Sequence, residues 1–423
     1  MKIKAVNGFK DILPEEIPLW RFIEEKARDI FRRFCFEEIR LPILEETRLF
    51  ARSIGQSTDI VEKEMYSFTD KGQTLRPEAT ASLLRAFIEH GMHVRKPAHR
   101  LFTIGPMFRH ERPQKGRLRQ FHQIDAEIIG GDEPEVDAEL MAMGQMLLAE
   151  LGLEASLEVN SLGCPQCRPQ FRAELIGYFQ QYTEQLCGDC RRRLATNPLR
   201  VLDCKNPGCR ELVTDAPSIL DALCADCDEH FSRVTGLLDA LGVVYSRNHL
   251  MVRGLDYYTR TTFEFITRNL GAQAAVGAGG RYDGLIRELG GPDLSGIGFA
   301  MGIERLVLLL QQQQEDTGRE MEKIDLFVAA LGDRAISHGF SLVHRLRKAG
   351  IAAAMDYSRR SLKAQMKQAG RLGARYTLIV GDQELDNREA ILRDMTTQDQ
   401  TSFSLAGDID QESVQLAALL TTN

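Results

Sequence analysis

Between Pro18 and Phe36 the apolar residues Leu19, Phe22, Ile23, Ala27, Ile30, Phe31 and Phe34 recur every three or four positions among charges, the stripe of an amphipathic helix. The same spacing predicts helices over 78–90, 134–151 and 299–315. Shorter stretches at 64–69, 100–108, 121–129, 154–160 and 261–267 are rich in β-branched or aromatic residues, which predicts one mainly antiparallel sheet. Ile39 to Leu44 reads as a further short strand, and Pro42, which lacks a ladder donor, assigns it to an edge or an interface. The last of these helices runs out in QQQQE, a linker candidate. Beyond it, 324–423 alternates Val/Ile-rich strand candidates (IDLFVAAL, RYTLIVG, EAILRDM) with helical segments near 334–349 and 361–372, the pattern of a separate small α/β domain.

Composition narrows the class. At roughly 150 residues per domain, 423 residues allow two to four domains. The 53 Lys and Arg against 60 Asp and Glu leave a formal charge of -7, so a polyanionic partner must be met by a local basic surface. Hydrophobic residues are 43% and charged residues 27%, and no apolar run approaches the roughly 18 residues a membrane span needs. The start, MKIKAVNGFKDILPEE, carries no apolar segment followed by a small-residue cleavage site, so the expectation is a cytoplasmic chain with no membrane partner.

Four blocks carry candidate chemistry. The string 101–130 has strand-like ends and a polar middle, a hairpin holding a long loop, with Arg100, Arg109, Arg112, Lys115, Arg117 and Arg119 in and beside it. Forked guanidinium donors there suit phosphates, and a solvated loop tip is the plain alternative. In LMVRGLDYYTRTTFEF, Arg253, Asp256, Tyr257, Tyr258 and Arg260 lie together ahead of a strand. GAGGRYDGLIRELGG, 277–291, offers tight glycine turns near a ligand and a fixed charge at Arg281. It leads into GIGFAMGIERLVLLL, where Arg305 sits on an apolar helix. In TLRPEATASLLRAF, Glu78 and Thr80 stand near a helix start, where capping is as good a reading as ligand contact.

Taken in order, these blocks resemble the class II aminoacyl-tRNA synthetases, and MVRGLDYY resembles the signature of their histidyl-tRNA synthetase family. Motif 1 corresponds to LPILEETRLFARSIG, motif 2 to FRHERPQKGRLRQFHQIDAE and motif 3 to GIGFAMGIERLVLL. The resemblance runs over essentially 1–423. It implies an α+β fold: an antiparallel-sheet catalytic core over 1–320 with a helical, Cys-rich insertion at about 164–245, and an α/β anticodon-binding domain at 324–423. It also implies a homodimer, with L-histidine, ATP and tRNA-His as ligands and Mg2+ accompanying ATP.

The implied reaction joins the histidine carboxylate to the α-phosphate of ATP and then passes the histidyl group to the terminal ribose of tRNA-His. The resemblance implies Arg109, Arg253 and Arg305 as the catalytic cations, with Arg109, Arg117 and Arg305 on ATP. It implies Glu78 and Thr80 at the substrate amino group with Gln123 beside them, and Glu127 and Tyr258 as readers of the imidazole, with Tyr257 and the RYDG segment shaping the pocket. Ala79 stands where the family commonly has glycine, which adds a methyl beside the substrate loop. His110 and His122 tempt an acid/base role, against hydrogen bonding or packing within the motif 2 loop.

Eight of nine cysteines fall between 164 and 227, as Cys164-x2-Cys167, Cys187-x2-Cys190, Cys204-x4-Cys209 and Cys224-x2-Cys227. The arithmetic allows two four-thiolate Zn2+ sites, and reduced packing cysteines or a redox pair remain open beside it. The other functional class is a synthetase-like regulatory subunit of ATP phosphoribosyltransferase, opposed by the intact MVRGLDYY, both motif arginines and the full C-terminal segment.

Overall fold

The computed structural model describes residues 3–53, 60–252, 257–267, 275–317 and 324–421. Its contacts divide the chain into two units, Met1–Thr317 and Gly318–Asn423.

The first unit is built on an eight-stranded sheet in the order Glu37–Glu38, His99–Phe108, Gln120–Ile129, Gly296–Gly302, Ala275–Arg281, Thr259–Ile266, Ser156–Ser161 and Tyr245–Arg247. The six inner strands pair antiparallel; each short edge strand pairs parallel to its neighbour. The sheet works as a two-faced wall because side chains alternate across a strand. From Gln120–Ile129, Ile124, Ala126 and Ile128 enter the main core with Phe263, Phe265, Phe299 and Met301. Phe121, Gln123, Asp125 and Glu127, on the opposite face, line a cavity.

The core face is covered by the helices Ile17–Arg33, Pro134–Glu150, Ala225–Ala240 and Ile303–Thr317. The first carries the expected stripe, with Ile23, Ala27, Ile30 and Phe31 fully buried. No helix among the described residues is long and apolar enough to cross a membrane.

Two expected elements differ. The segment expected as a strand over 39–44 bridges two sheets: Ile39 N–H donates to Phe102 O at 2.8 Å, and Ile43 O accepts from Arg76 N–H at 2.9 Å. Pairing resumes in Leu44–Glu46, which joins Gln73–Leu75 and Tyr66–Phe68 in a three-stranded sheet. The helix expected from 299 begins at Ile303, because Gly296–Gly302 is taken into the large sheet by full pairing with both neighbours.

The Cys-rich insertion has its own small core, in which Phe171, Leu175, Phe179, Cys190, Val201, Cys209 and Val213 meet between the helices Arg168–Gln180, Gly188–Thr196 and Pro207–Thr214. Its returning helix, Ala225–Ala240, puts Phe231, Val234 and Leu238 into the main core.

The second unit is a five-stranded sheet in the order Ala353–Met355, Leu326–Leu331, Tyr376–Gly381, Glu389–Asp394 and Gln400–Ser404. The first three strands are parallel and the last two antiparallel. The helices Asp333–Lys348 and Leu362–Arg371 fall where the periodicity predicts them, and the short Asp382–Asn387 and the longer Ile409–Thr421 join them. Gln400–Ser404 escapes sequence reading because only Phe403 of QTSFS is buried, so it has no apolar alternation.

Candidate active site

The cavity, about 360 Å³, opens on the face of the large sheet away from the main core. Its floor is formed by the strands Gln120–Ile129, Gly296–Gly302 and Ala275–Arg281, the first of which is paired in a hairpin with His99–Phe108 from His99–Ile129 to Phe108–Gln120. In the connecting loop, Arg109 N–H donates to Arg119 O at 2.9 Å, and a tight bridge between Gln114 and Arg117 turns on Gly116 at φ +72°. That left-handed backbone favours glycine.

One end of the cavity is acidic. Glu127, 2% exposed, accepts hydrogen bonds from Thr80 Oγ1 at 2.6 Å and from Tyr282 Oη at 2.7 Å. Burial raises its carboxyl to about 8, opposed by those two hydrogen bonds and reinforced by the Glu78 charge. Glu78 is also buried and raised by burial, while its two oxygens accept from the Thr80 and Ala81 N–H groups at 2.7 and 2.9 Å. It therefore caps the helix Thr80–Glu89 and lines the cavity at once, so the two readings of this residue coexist. Asp125 completes the group: burial, then Glu127 and Glu78, hold its carboxyl well above the usual range, and its Oδ2 is buried without a partner.

The other end is basic. Arg109 is fixed by Nε donating to Pro77 O at 2.8 Å and lies over the Phe121 ring at 5.3 Å. Arg117 pairs with Glu111, and Arg305 donates to the carbonyls of Gly116 and Ala275. Burial depresses Arg305, and the Arg117 and Arg109 charges depress it further. Three guanidiniums that repel one another across a cavity form a site for a multiply charged anion.

Of the expected site residues, Glu78, Thr80, Arg109, Arg117, Gln123, Glu127, Tyr257, Tyr258 and Arg305 all line this cavity. Ala79 is fully buried at the N-cap of the helix and is not among the lining residues. Arg253 and Asp256 lie outside the described residues. Asp125 and Tyr282 are lining residues that no single role was expected for; the period of two from Gln123 through Asp125 to Glu127 is the signal that finds the first.

Two expectations need correction, and the open choice at the motif 2 histidines goes to hydrogen bonding and packing. Arg281 supplies no charge to the cavity: it is fully buried, with Nε 2.8 Å and Nη2 2.7 Å from Asp137 Oδ1, and holds structure beneath the strand. The glycines of GAGG and GIGFAMG sit in paired strands and serve close packing. A Cβ on Gly298 would stand 1.6 Å from Glu127 Oε2, and one on Gly280 2.9 Å from Tyr258 Cδ1. His122 is structural: its N–H and Nδ1 both face Glu304, at 2.9 to 3.0 Å, and its ring meets Trp20 edge-on. His110, whose N–H donates to Glu64 O at 2.7 Å, packs against Tyr66.

The eight clustered cysteines form two nested quartets, Cys164, Cys167, Cys224 and Cys227 outside and Cys187, Cys190, Cys204 and Cys209 inside, with the sulfurs of each within 4.8 Å of one another. Such a set suits a structural metal. None of the eight is joined in a disulfide. Burial works against ionisation of Cys164, but the N–H groups of Cys167 and Gln166 outweigh it and bring the thiol to about 7.

A family model described as histidyl-tRNA synthetase matches residues 8–167 and 204–306, and one described as an anticodon binding domain matches 325–410. The chain is 61% identical to the histidine–tRNA ligase of Desulfotalea psychrophila over 411 residues, covering 97% of this chain and 95% of the relative. It is 53% identical to that of Syntrophotalea carbinolica over 411 residues, covering 96% and 97%. The crystal structure of apo S. aureus histidyl-tRNA synthetase is similar at 38% identity and TM-score 0.80, covering 97% of this chain and 100% of that one. A structure from Bacillus halodurans, described as an ATP phosphoribosyltransferase regulatory subunit/histidyl-tRNA synthetase, shares the fold at 18% identity and TM-score 0.64, covering 90% and 99%.

Proposed function

The chain belongs to the histidyl-tRNA synthetase family, and from that premise we propose how its own residues divide the family's reaction. The reaction is the ATP-dependent joining of histidine to tRNA-His, with release of AMP and diphosphate. The regulatory-subunit reading finds no better support, since the resemblance to that structure is one of fold alone.

The observation that carries the assignment is the make-up of the cavity, where the buried carboxyls of Glu78, Asp125 and Glu127 and the guanidiniums of Arg109, Arg117 and Arg305 line one space, with Glu111 paired to Arg117 and Glu264 beside Arg305. Histidine brings an ammonium and an imidazole, both cationic or donating, and a carboxylate. ATP brings only anionic oxygens to the reacting centre. Each substrate therefore has one end of the cavity matched to its charge, and the histidine carboxylate meets the α-phosphate between them.

Glu78, Asp125 and Gln123 take the ammonium, whose charge favours the ionised form of both carboxyls. Glu127, held by Thr80 and Tyr282, reads an imidazole N–H, with Tyr258 at the ring and Tyr257 behind it. A committed polar pocket rejects apolar isosteres because they leave its buried groups unpaired. Ala79, buried at the helix start, positions Glu78 and Thr80 through backbone.

At the phosphate end, a histidine carboxylate oxygen attacks the α-phosphorus as its bond to the bridging oxygen of pyrophosphate breaks. Arg109 faces the carboxylate and the α-phosphate, Arg117 and Arg305 the distal phosphates, and Arg253 is assigned to the α-phosphate on the resemblance of MVRGLDYY alone. Fixed cations lower the barrier because charge builds on phosphoryl oxygens in the transition state. Glu264, a cavity carboxylate beside Arg305, would be the residue to hold a Mg2+ accompanying ATP, which would neutralise phosphate charge. In the second step a terminal ribose hydroxyl of tRNA attacks the histidyl carbonyl and AMP leaves.

Residues 324–423 are assigned to the anticodon, in keeping with the domain model matched there. The homodimer interface is placed at the three-stranded sheet, where Ile43, Leu44 and Phe68 are exposed apolar residues on a small patch. A cytoplasmic setting follows from the substrates and suits eight clustered thiols.

Histidine-dependent ATP–pyrophosphate exchange, followed by charging of tRNA-His, tests the whole assignment. Wild type is expected to do both, and Arg253→Ala and Arg305→Ala to lose exchange by about 100-fold, as removing a transition-state donor does. Near-normal exchange in either variant removes that residue from the machinery.

A further inference from the structure

The cysteine quartets take no part in the reaction, yet their geometry is that of a bound ion. Four sulfurs about 2.3 Å from one centre stand ~3.8 Å apart at the corners of a tetrahedron. Cys164 Sγ lies 3.6 Å from Cys167 Sγ and 3.9 Å from Cys224 Sγ, and Cys187 Sγ lies 3.9 Å from Cys204 Sγ. Backbone donors face the sulfurs as they do around a thiolate-bound metal: Cys224 N–H to Cys167 Sγ at 3.2 Å, and Cys187 N–H to Cys209 Sγ at 3.2 Å. Helix starts converge as well. Cys167 and Cys224 are the N-caps of Arg168–Gln180 and Ala225–Ala240 in the outer quartet, and Cys187 is the N-cap of Gly188–Thr196 in the inner one. Their partial positive charge favours thiolate over thiol. Residues 168–203, which hold Cys187 and Cys190, fall between the two segments matched by the family model, so half of the inner quartet lies outside it.

The two quartets occupy different places. The inner one sits within the insertion's own core, where Cys190 and Cys209 are fully buried. The outer one closes the root of the insertion, joining the chain as it leaves the large sheet at Cys164 to the chain as it returns at Cys227. Its first loop is bonded to the segment that carries Tyr258. Leu162 N–H donates to Arg260 O at 2.7 Å, Arg260 N–H donates to Gly163 O at 2.9 Å, and Arg168 Nη2 donates to Tyr258 O. Gly163, at φ +61°, leaves no room for a side chain, since a Cβ would stand 2.7 Å from Cys167 Cβ.

We propose that each quartet binds one Zn2+, and that the outer ion is a clasp that fixes Tyr258 and the adjoining wall of the cavity while the inner ion holds only the insertion. The link from the outer ion to histidine binding rests on the function proposed above; the two metal sites do not.

The test is metal analysis of the full-length protein purified under reducing conditions with Zn2+ supplied, together with Co2+ substitution and histidine KM in pyrophosphate exchange. Wild type is expected to hold two Zn2+ per chain and, with Co2+, to show the d–d absorption of tetrahedral thiolate sites. Cys167→Ala and Cys190→Ala are each expected to hold one. Cys167→Ala should raise histidine KM roughly tenfold, as displaced positioning groups do, and Cys190→Ala should leave it within about twofold. Should Cys167→Ala fail to fold, Cys224→His, which keeps a zinc ligand, is expected to retain two ions and a normal KM. Wild-type protein with fewer than two ions, or without the tetrahedral Co2+ spectrum, overturns the two sites. Loss of the outer ion with unchanged histidine KM overturns the clasp. Two ions in a protein without exchange activity would leave the sites standing and remove the proposed function instead.

Discussion

Among the described residues, Glu127 is a buried carboxyl with two donors and no cation acting on it, and burial sets its titration. Its value of about 8 in the folded chain lies above the ordinary 4.5, so folding retains a proton that the unfolded chain releases between those limits. Stability from this group is full below about pH 4.5 and is lost as pH rises through about 8, at about 1.4 kcal/mol per pH unit. Chemical denaturation of ligand-free protein between pH 5 and about 8 is therefore expected to fall less steeply for Glu127→Gln than for wild type; parallel slopes would count against the assigned titration. The same variant should raise histidine KM roughly 10-fold, the cost of a buried imidazole N–H left imperfectly paired. The residue types at 78, 80, 109, 117, 123, 127, 257, 258 and 305 were legible because a recognisable motif carried each. Asp125 was not singled out, although it sits two positions from both Gln123 and Glu127 and so shares their face. Arg281 misled in the other direction, because a charge in a glycine-rich segment carries no mark that its partner, Asp137, lies 144 positions away.

Strands decide how close the two ends of the cavity come to the substrates, and here glycine is a packing residue. Gly298 stands opposite Glu127 in the ladder, so its missing side chain is the space that the carboxyl occupies. Gly298→Ala is expected to keep the fold, since the strand remains paired on both sides, yet to cut histidine-dependent exchange by at least about tenfold by displacing Glu127. Unchanged exchange in that variant would mean that Glu127 does not read the substrate from its present position. Most helices and the hairpin were legible from periodicity; glycine-rich strands were not, because glycine is a turn former locally and only the neighbouring strand reveals why it is needed. The same competition moved the start of the helix at 299 to Ile303. Between Glu37–Glu38 and Leu44–Glu46, the segment that holds Pro42 bridges two sheets.

At the scale of the whole chain, acidic and basic groups are gathered in one cavity while the net charge stays at -7. The C-terminal unit has its own core on both sheet faces, so its removal is expected to spare the first step and damage the second. A chain ending at residue 320 should keep pyrophosphate exchange within a few-fold and lose charging of tRNA-His by about 100-fold, the cost of forfeiting a second binding module. Equal loss of both steps would assign that unit a part in the cavity. Domain order was legible from the change of pattern near QQQQE; the nesting of the cysteine pairs was not, because spacing alone does not say which pair folds back on which. The central claim is that this bipolar cavity joins histidine to the α-phosphate of ATP. Pyrophosphate exchange measured with and without histidine, in wild type and Arg305→Ala, tests it most directly. Exchange is expected to depend on histidine and to fall about 100-fold in the variant; exchange independent of histidine, or none in wild type, would contradict that role for the cavity.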